Sequence, residues 1–213
     1  MQVCETFSSI QGESTCAGRK CFFIRLSGCN LACSYCDTAY ARDREAGKEF
    51  SIEQLVGAAR RAALPLVEIT GGEPLSSPET PALCRALLDA GFEVLLETNG
   101  SLPIETVPAG VRRIVDCKLP GSGMFEKNLT ANYELLTPHD EVKFVISDRR
   151  DFDCGCDVIR KYRLDRRTPH LIASPVWGRV AFNELAAWVM ASPLPWRMQL
   201  QMHKLIWGDR RGV

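Results

Sequence analysis

Apolar residues follow two rhythms along the chain. Dense short runs at Lys20–Leu26 and at residues 66–70, 92–97, 111–115, 142–146 and 171–173 are bounded by glycine, proline or polar residues and predict strands. Between them the spacing is helical. Ser51, with Gln54 three residues on, predicts a capping box opening a helix whose Ile52, Leu55, Val56 and Ala59 form one stripe. Ser77 followed by Pro78 at the first helical position predicts a second helix, with Leu83, Leu87 and Leu88 inward and Gly91 as its stop. Phe182, Leu185, Ala186 and Val189 mark a later one. Strands separated by helices at this interval pair in parallel, so the expected architecture is α/β, either a doubly wound sheet or a full or partial barrel.

The loops that follow these strands hold the chemistry. They read Thr70-Gly71-Gly72-Glu73-Pro74, Thr98-Asn99-Gly100, Asp116-Cys117-Lys118-Leu119-Pro120 and Ser174-Pro175-Val176-Trp177. Parallel α/β folds place ligands at these carboxyl ends of strands. After the first run comes Gly28-Cys29-Asn30-Leu31-Ala32-Cys33-Ser34-Tyr35-Cys36-Asp37-Thr38, a loop able to aim three thiolates at one point, with no fourth cysteine nearby. A 4Fe-4S cluster normally takes four thiolates, so three leave one iron open for a reactive ligand. Structural zinc is the alternative, but it favours closed tetrahedral coordination from two separated knuckles, and no second C-x2-C pair exists. Gly71 and Gly72 alone would suit a simple turn; they would also let a ligand approach the backbone closely, with Glu73 adding a carboxylate suited to an ammonium group.

Composition narrows the classes. A chain of 213 residues suits one domain, 1–213, with a substantial core. Lys plus Arg and Asp plus Glu number 26 each, so no electrostatic footprint for nucleic acid or an anionic membrane stands out, and a small substrate is expected. The opening residues lack a basic and apolar leader pattern, and no apolar run has the length of a membrane span, so a cytoplasmic location is expected. Ten cysteines in such a setting read as metal ligands, catalytic groups or small hydrophobes. Cys84 falls in a helical pattern and reads as packing, whereas Cys154 and Cys156 are spaced too tightly for a good zinc knuckle. Residues 120–128 are expected to form a mobile loop.

The C-x3-C-x2-C loop followed by Gly-Gly-Glu-Pro resembles the radical S-adenosylmethionine (SAM) superfamily. The resemblance implies an open iron chelated by the amino and carboxylate groups of SAM, with the glycine loop and Glu73 holding the methionine amine. Longer stretches are similar to one family within it, the 7-carboxy-7-deazaguanine synthases: residues 5–13, 23–31, 36–38, 70–75, 97–100 and the ending from Gln201 to Trp207 and on through Arg211, Gly212 and Val213. That family converts 6-carboxy-5,6,7,8-tetrahydropterin to 7-carboxy-7-deazaguanine with loss of ammonia, on the way to queuosine and other deazapurines. The implied fold is an abbreviated, incomplete (β/α) barrel, usually in a homodimer, with a flavodoxin or ferredoxin as electron donor. Two other classes share parts of the pattern: glycyl-radical activating enzymes and non-enzymatic zinc-binding modules.

By position, the resemblance implies Cys29, Cys33 and Cys36 as cluster ligands and Thr38 as a magnesium ligand, although one hydroxyl is weak and substrate and water must supply the rest. It implies SAM contacts at Tyr35, Cys36, Asp37, Gly72, Glu73, Asp116, Cys117, Lys118, Ser174, Pro175, Val176 and Trp177. Substrate contacts are implied at Ile10, Gln11, Gly12, Glu13, Arg25, Thr70, His203 and the terminal carboxylate of Val213. Arg25 lies in an apolar run and needs either a structural partner or an anionic ligand such as the pterin carboxylate. Gln11 and Glu13 would suit the donor-rich pyrimidine ring, though both could be ordinary loop residues. His203 could instead be a satisfied core histidine, and His139 and His170 read as structural or solvent-facing. The family often has glycine where Ser14 stands and tryptophan where Tyr35 stands.

Overall fold

Six of the strands lie where the apolar runs predict them, within a residue or two at their ends. In the computed structural model, which describes residues 1–213, they are β2 (Lys20–Leu26), β4 (Leu66–Gly71), β5 (Glu93–Thr98), β6 (Arg112–Asp116), β7 (Glu141–Ile146) and β8 (Leu171–Pro175). Three more were not expected: β1 (Gln2–Ile10), β3 (Lys48–Glu49) and β9 (Trp196–Met198). The sheet order is β3-β1-β2-β4-β5-β6-β7-β8-β9. From β2 onward through β4 to β9 every pairing is parallel, while β1 pairs antiparallel with β2 and with β3. No ladder joins β9 back to β1, so the sheet curls without closing. This decides between the expected alternatives in favour of the incomplete barrel.

Helices cover the outer face. In α1 (Ile52–Ala62) the capping box forms as expected: Ser51 accepts from the Gln54 backbone, and Gln54 reaches back to the Ser51 N–H. The second helix, α2 (Thr80–Asp89), begins two residues later than Pro78 would set it, and its proline is Pro81. Thr80 explains the delay, because its hydroxyl donates to the Pro74 carbonyl at 2.6 Å and holds the preceding residues in a tight turn. A further helix, α3 (Arg149–Tyr162), is capped by Asp148, which accepts from the Asp151 N–H at 2.8 Å. It contains Cys154 and Cys156, the latter packed in the core, and Gly155 gives Trp196 and Phe144 room. α4 (Phe182–Ala191) fits its predicted stripe, with Leu185 fully buried, and the short α5 (Met202–Trp207) follows β9. No helix is long and apolar enough to cross a membrane.

Alternation along the strands divides the apolar residues into layers. Ile24, Val67, Ile69, Val94 and Leu96 face α1 and α2, and Val142, Phe144, Leu171 and Ala173 face α3 and α4. On the inner face Cys16, Cys21, Phe23, Leu66, Leu95 and Ile114 form a smaller apolar plug. The open seam between β9 and β1 is crossed by Met202 N–H to the Gly12 carbonyl at 3.0 Å and Gln199 Nε2 to the Ser14 carbonyl at 2.6 Å. Ser14 adopts φ 61°, the left-handed region that favours glycine, which accounts for the glycine often found there in the resembled family.

Candidate functional site

Above the inner plug, the carboxyl ends of the strands surround a cavity of about 760 Å³. Cys29, Cys33 and Cys36 all border it, each half-buried. Their loop is fixed by its neighbours. The Gly28 and Cys29 N–H groups donate to Ala41 and Arg42, the Glu73 N–H donates to the Gly28 carbonyl at 2.8 Å, and Ser34 is bonded to Gly121 and Ser122. The Leu31 N–H lies 3.5 Å and Asn99 Nδ2 3.8 Å from Cys29 Sγ, donors that a bound thiolate can use. Burial raises the Cys29 and Cys33 thiol pKa values, and Lys118 opposes it at Cys33, so both favour the neutral thiol until a metal draws out the proton. Three thiols of one loop bordering one cavity, with N–H donors beside Cys29 Sγ, are the donor set that would hold a 4Fe-4S cluster with one iron open.

Charged residues form the floor. Lys143 Nζ contacts Glu13 Oε2 at 2.8 Å, Glu97, and Asp116 Oδ1 at 3.5 Å; Lys118 Nζ contacts Asp116 Oδ2 at 2.6 Å. Glu13 also accepts from Gln201 Nε2 at 2.7 Å, and Thr70 Oγ1 donates to Glu97 at 3.1 Å. Gln11 donates through Nε2 to Glu68 and accepts from the Glu13 N–H at 2.6 Å, which fixes its amide orientation. Burial, followed by the Glu97 charge, pushes the Glu68 pKa well above the usual carboxylate range. Strand alternation produces this floor: Arg25, Glu68, Thr70, Glu97, Asp116 and Lys143 all point inward from β2, β4, β5, β6 and β7.

The structure gathers most of the expected residues. Ile10, Gln11, Gly12, Glu13, Arg25, Thr70, His203 and Val213 border the cavity, as do Tyr35, Asp37, Thr38, Gly72, Asp116, Lys118, Val176 and Trp177. Arg25 has the structural partner that was one of its two options, Glu5, which accepts from Nε at 2.8 Å and from Tyr40 OH at 2.8 Å. It nevertheless faces the cavity. His203 packs so closely on Gly12 that a Cβ there would stand 2.5 Å from Nδ1.

Four expected SAM contacts do not line the cavity. Glu73 turns inward and is buried; its carboxylate accepts from Thr98 Oγ1 at 2.8 Å, Leu75 N–H at 2.9 Å and Asn99 N–H at 2.6 Å, so it ties loops together beneath the surface. Burial lifts its pKa to about 7 despite those donors. Cys117 points into the outer core, where Tyr133 OH donates to its sulfur at 3.2 Å, because it follows the inward Asp116 by one residue. Ser174 and Pro175 are buried at the end of β8, and the chain reaches the cavity only at Val176 and Trp177. Residues 120–128, expected as a mobile loop, are two 3-10 turns closed by Asn128, which bonds both the N–H and carbonyl of Lys118. Sequence reasoning passed over Glu68, Lys143 and Tyr40. A charge inside an apolar run, the signal that singled out Arg25, was equally present at Glu68 and Lys143.

Comparison with known proteins bears on the same region. Residues 23–119 match the Radical SAM superfamily. A 7-carboxy-7-deazaguanine synthase of Koribacter versatilis is 38% identical, the match covering 100% of this chain and 100% of the relative. One from Chlorobaculum tepidum is 41% identical, over 100% of this chain and 97% of the relative. Among solved structures, the crystal structure of QueE from Escherichia coli matches with a TM-score of 0.77, covering 95% of this chain and 94% of that one at 23% identity, a likeness of fold.

Proposed function

The chain belongs to the 7-carboxy-7-deazaguanine synthase family, within the radical SAM superfamily, and on that premise we propose that it converts 6-carboxy-5,6,7,8-tetrahydropterin to 7-carboxy-7-deazaguanine with loss of ammonia. The observation that carries this reading is the meeting of three thiols and an inward ring of charged residues on one cavity. Cys29, Cys33 and Cys36 would hold the 4Fe-4S cluster. When bound and reduced, the cluster supplies the electron that cleaves SAM to a 5′-deoxyadenosyl radical.

The chain's own residues then have positional tasks. Arg25, with Glu5 steadying Nε, presents the rest of its guanidinium to the substrate carboxylate. Glu13 and Gln11 offer acceptors to the pyrimidine ring, while His203 and Val213 close the seam side. Tyr35, Asp37, Gly72, Asp116, Lys118, Val176 and Trp177 border the SAM end. Thr38 offers one hydroxyl to magnesium, with substrate and water completing the coordination. The apolar plug below Arg25 and Glu97 excludes water from beneath the reacting ring. Homodimer formation, a flavodoxin or ferredoxin reductant and a cytoplasmic setting accompany this reading.

The test is anaerobic reconstitution with iron and sulfide, followed by electron paramagnetic resonance with and without SAM and product analysis with the pterin. A reduced-cluster signal perturbed by SAM, together with a deazapurine product, is expected. Cys33→Ala should lose both iron and activity; a variant retaining the full iron content would remove Cys33 from the ligand set.

A further inference from the structure

Lys143 stands at the centre of the cavity floor with its side chain 7% exposed. Its three carboxylate neighbours differ in their other partners. Asp116 has a second ammonium, Lys118, at 2.6 Å. Glu13 otherwise has only the neutral amide of Gln201 at 2.7 Å and the His203 ring nearby. Glu97 otherwise has the Thr70 hydroxyl at 3.1 Å and the more remote charge of Arg25. Glu68 faces the same space from β4 and brings no cation, while β8 contains no charged residue. Lys143 is therefore the sole ammonium bonded to Glu13 and Glu97.

We propose that Lys143 is a positioning residue that keeps Glu13 ionised, so that its carboxylate presents only acceptors to the N–H groups of the substrate's pyrimidine ring. This rests on the reading of the cavity as a pterin site. An ionised carboxylate accepts at both oxygens, whereas a protonated one turns an oxygen into a donor and meets a ring N–H donor to donor. Buried carboxylates this close do not all ionise without a cation among them. Burial pushes the Glu13 pKa upward, but the charge and hydrogen bond of Lys143, helped by Gln201 and His203, outweigh it and leave the value at about 2. Burial works against the Lys143 charge as well, and Asp116, Glu13 and Glu97 together hold its pKa well above the ordinary lysine value. Without the ammonium, burial acts on Glu13 against only Gln201 and His203, and its carboxyl takes up a proton more readily.

The experiment compares cluster-loaded native protein with Lys143→Met and Lys143→Arg, measuring turnover of the carboxytetrahydropterin from about pH 6 to 8 together with SAM affinity. Lys143→Met is expected to raise the pterin KM about tenfold or more at pH 7, the scale of a lost hydrogen bond to a charged group. That KM should fall as pH rises and the raised carboxyl loses its proton, while the native KM stays level. SAM affinity should change less than about threefold, because Asp116 keeps Lys118. Lys143→Arg, which keeps the charge, should restore most of the affinity and the level profile. If Lys143→Met does not fold, Glu68→Gln/Lys143→Met contains one buried carboxylate fewer and provides the same readout. A methionine variant with native pterin KM, or with a KM raised equally at every pH, overturns the proposal. Native protein that yields no deazapurine overturns the functional reading instead, before any variant is compared.

Discussion

Replacing Gly72 with alanine asks whether the glycine loop and the cysteine loop are built as one unit. A Cβ at position 72 would lie 2.1 Å from the Gly28 carbonyl oxygen, 2.5 Å from its carbon and 3.0 Å from the Ala41 carbonyl oxygen. All three are backbone atoms, so no rotamer change relieves the overlap, and the two loops must separate by about 1 Å. The Glu73 N–H bond to Gly28, now 2.8 Å, then passes beyond hydrogen-bond range, and the Gly72 N–H bond to Leu26 at 3.0 Å is strained with it. Two such bonds contribute roughly 1 kcal/mol each, and overpacking adds roughly 1–3 kcal/mol, for a total of about 3–5 kcal/mol. In a domain of this size that lowers the melting temperature by roughly 6–20 °C. Gly28 is bonded covalently to Cys29, so the displacement reaches a proposed cluster ligand at twice the roughly 0.5 Å that a preorganised site tolerates. Thermal unfolding of the metal-free protein, with iron and sulfide per chain after anaerobic reconstitution, reads both effects. Gly91→Ala is the control: φ is +88° and nothing lies within 4 Å of the added carbon, so it costs roughly 1–2 kcal/mol of backbone strain and leaves iron loading intact. Native melting and native iron content in Gly72→Ala would refute the reasoning.

Gly12→Ala should act at the other end of the cavity, pushing His203 away from a Cβ that would stand 2.5 Å from its ring nitrogen. Titration with pterin should show weaker binding at unchanged iron content, and an equal loss of iron would show that the two ends are not separable. Asp140→Asn should destabilise the fold by about 3 kcal/mol, because the buried carboxylate accepts from Arg113 and Thr137 and its loss leaves a guanidinium unpaired. Burial raises the Asp140 pKa, but Arg113 and Thr137 more than reverse it, so the folded value is lowered. The stabilisation is therefore complete above the unfolded value of 3.8 and lost as pH falls through the lower folded one. Denaturant midpoints of native and variant protein should converge in strong acid, and a constant gap down to pH 2 would contradict the assignment.

The parallel core was legible because buried strands between helices leave long apolar runs with glycine and proline at their ends. β1 was not, because its polar Thr6, Ser8 and Ser9 interrupt the apolar pattern and it pairs antiparallel with both neighbours beside the β3 edge of the sheet. α3 was hidden by Gly155 and by its charged residues, yet its buried face is continuous through Phe152, Cys156 and Ile159. The spacing of Cys29, Cys33 and Cys36 in one short loop made their meeting on one cavity legible, and the resemblance, more than the spacing, chose a cluster over zinc. The surroundings of Glu73 were not legible, because a motif gives the residue type without the direction of its side chain. Only the convergence of Thr98, Asn99 and Leu75 on its oxygens shows that it braces the loops from beneath.

The depth of the cavity follows from where each strand changes character. Along the inner face β2 goes from Phe23 to Arg25, β4 from Leu66 to Glu68 and Thr70, β5 from Leu95 to Glu97, and β6 from Ile114 to Asp116. Each change takes one step of two residues, so it is compatible only with the register observed; a slip by one residue would turn the charges outward and put Ile24, Val67 and Leu96 into the cavity. The apolar residues below the step bury without polar partners, and the charged ones above it are affordable because they meet each other across the barrel. Closing the sheet completely is unnecessary for this. The seam needs only the bonds from Gln199, Gln201 and Met202 to the loop at residues 12–14, and that same loop supplies Glu13 to Lys143. The abbreviated barrel thus places a cavity-facing carboxylate where a complete one would have placed a strand.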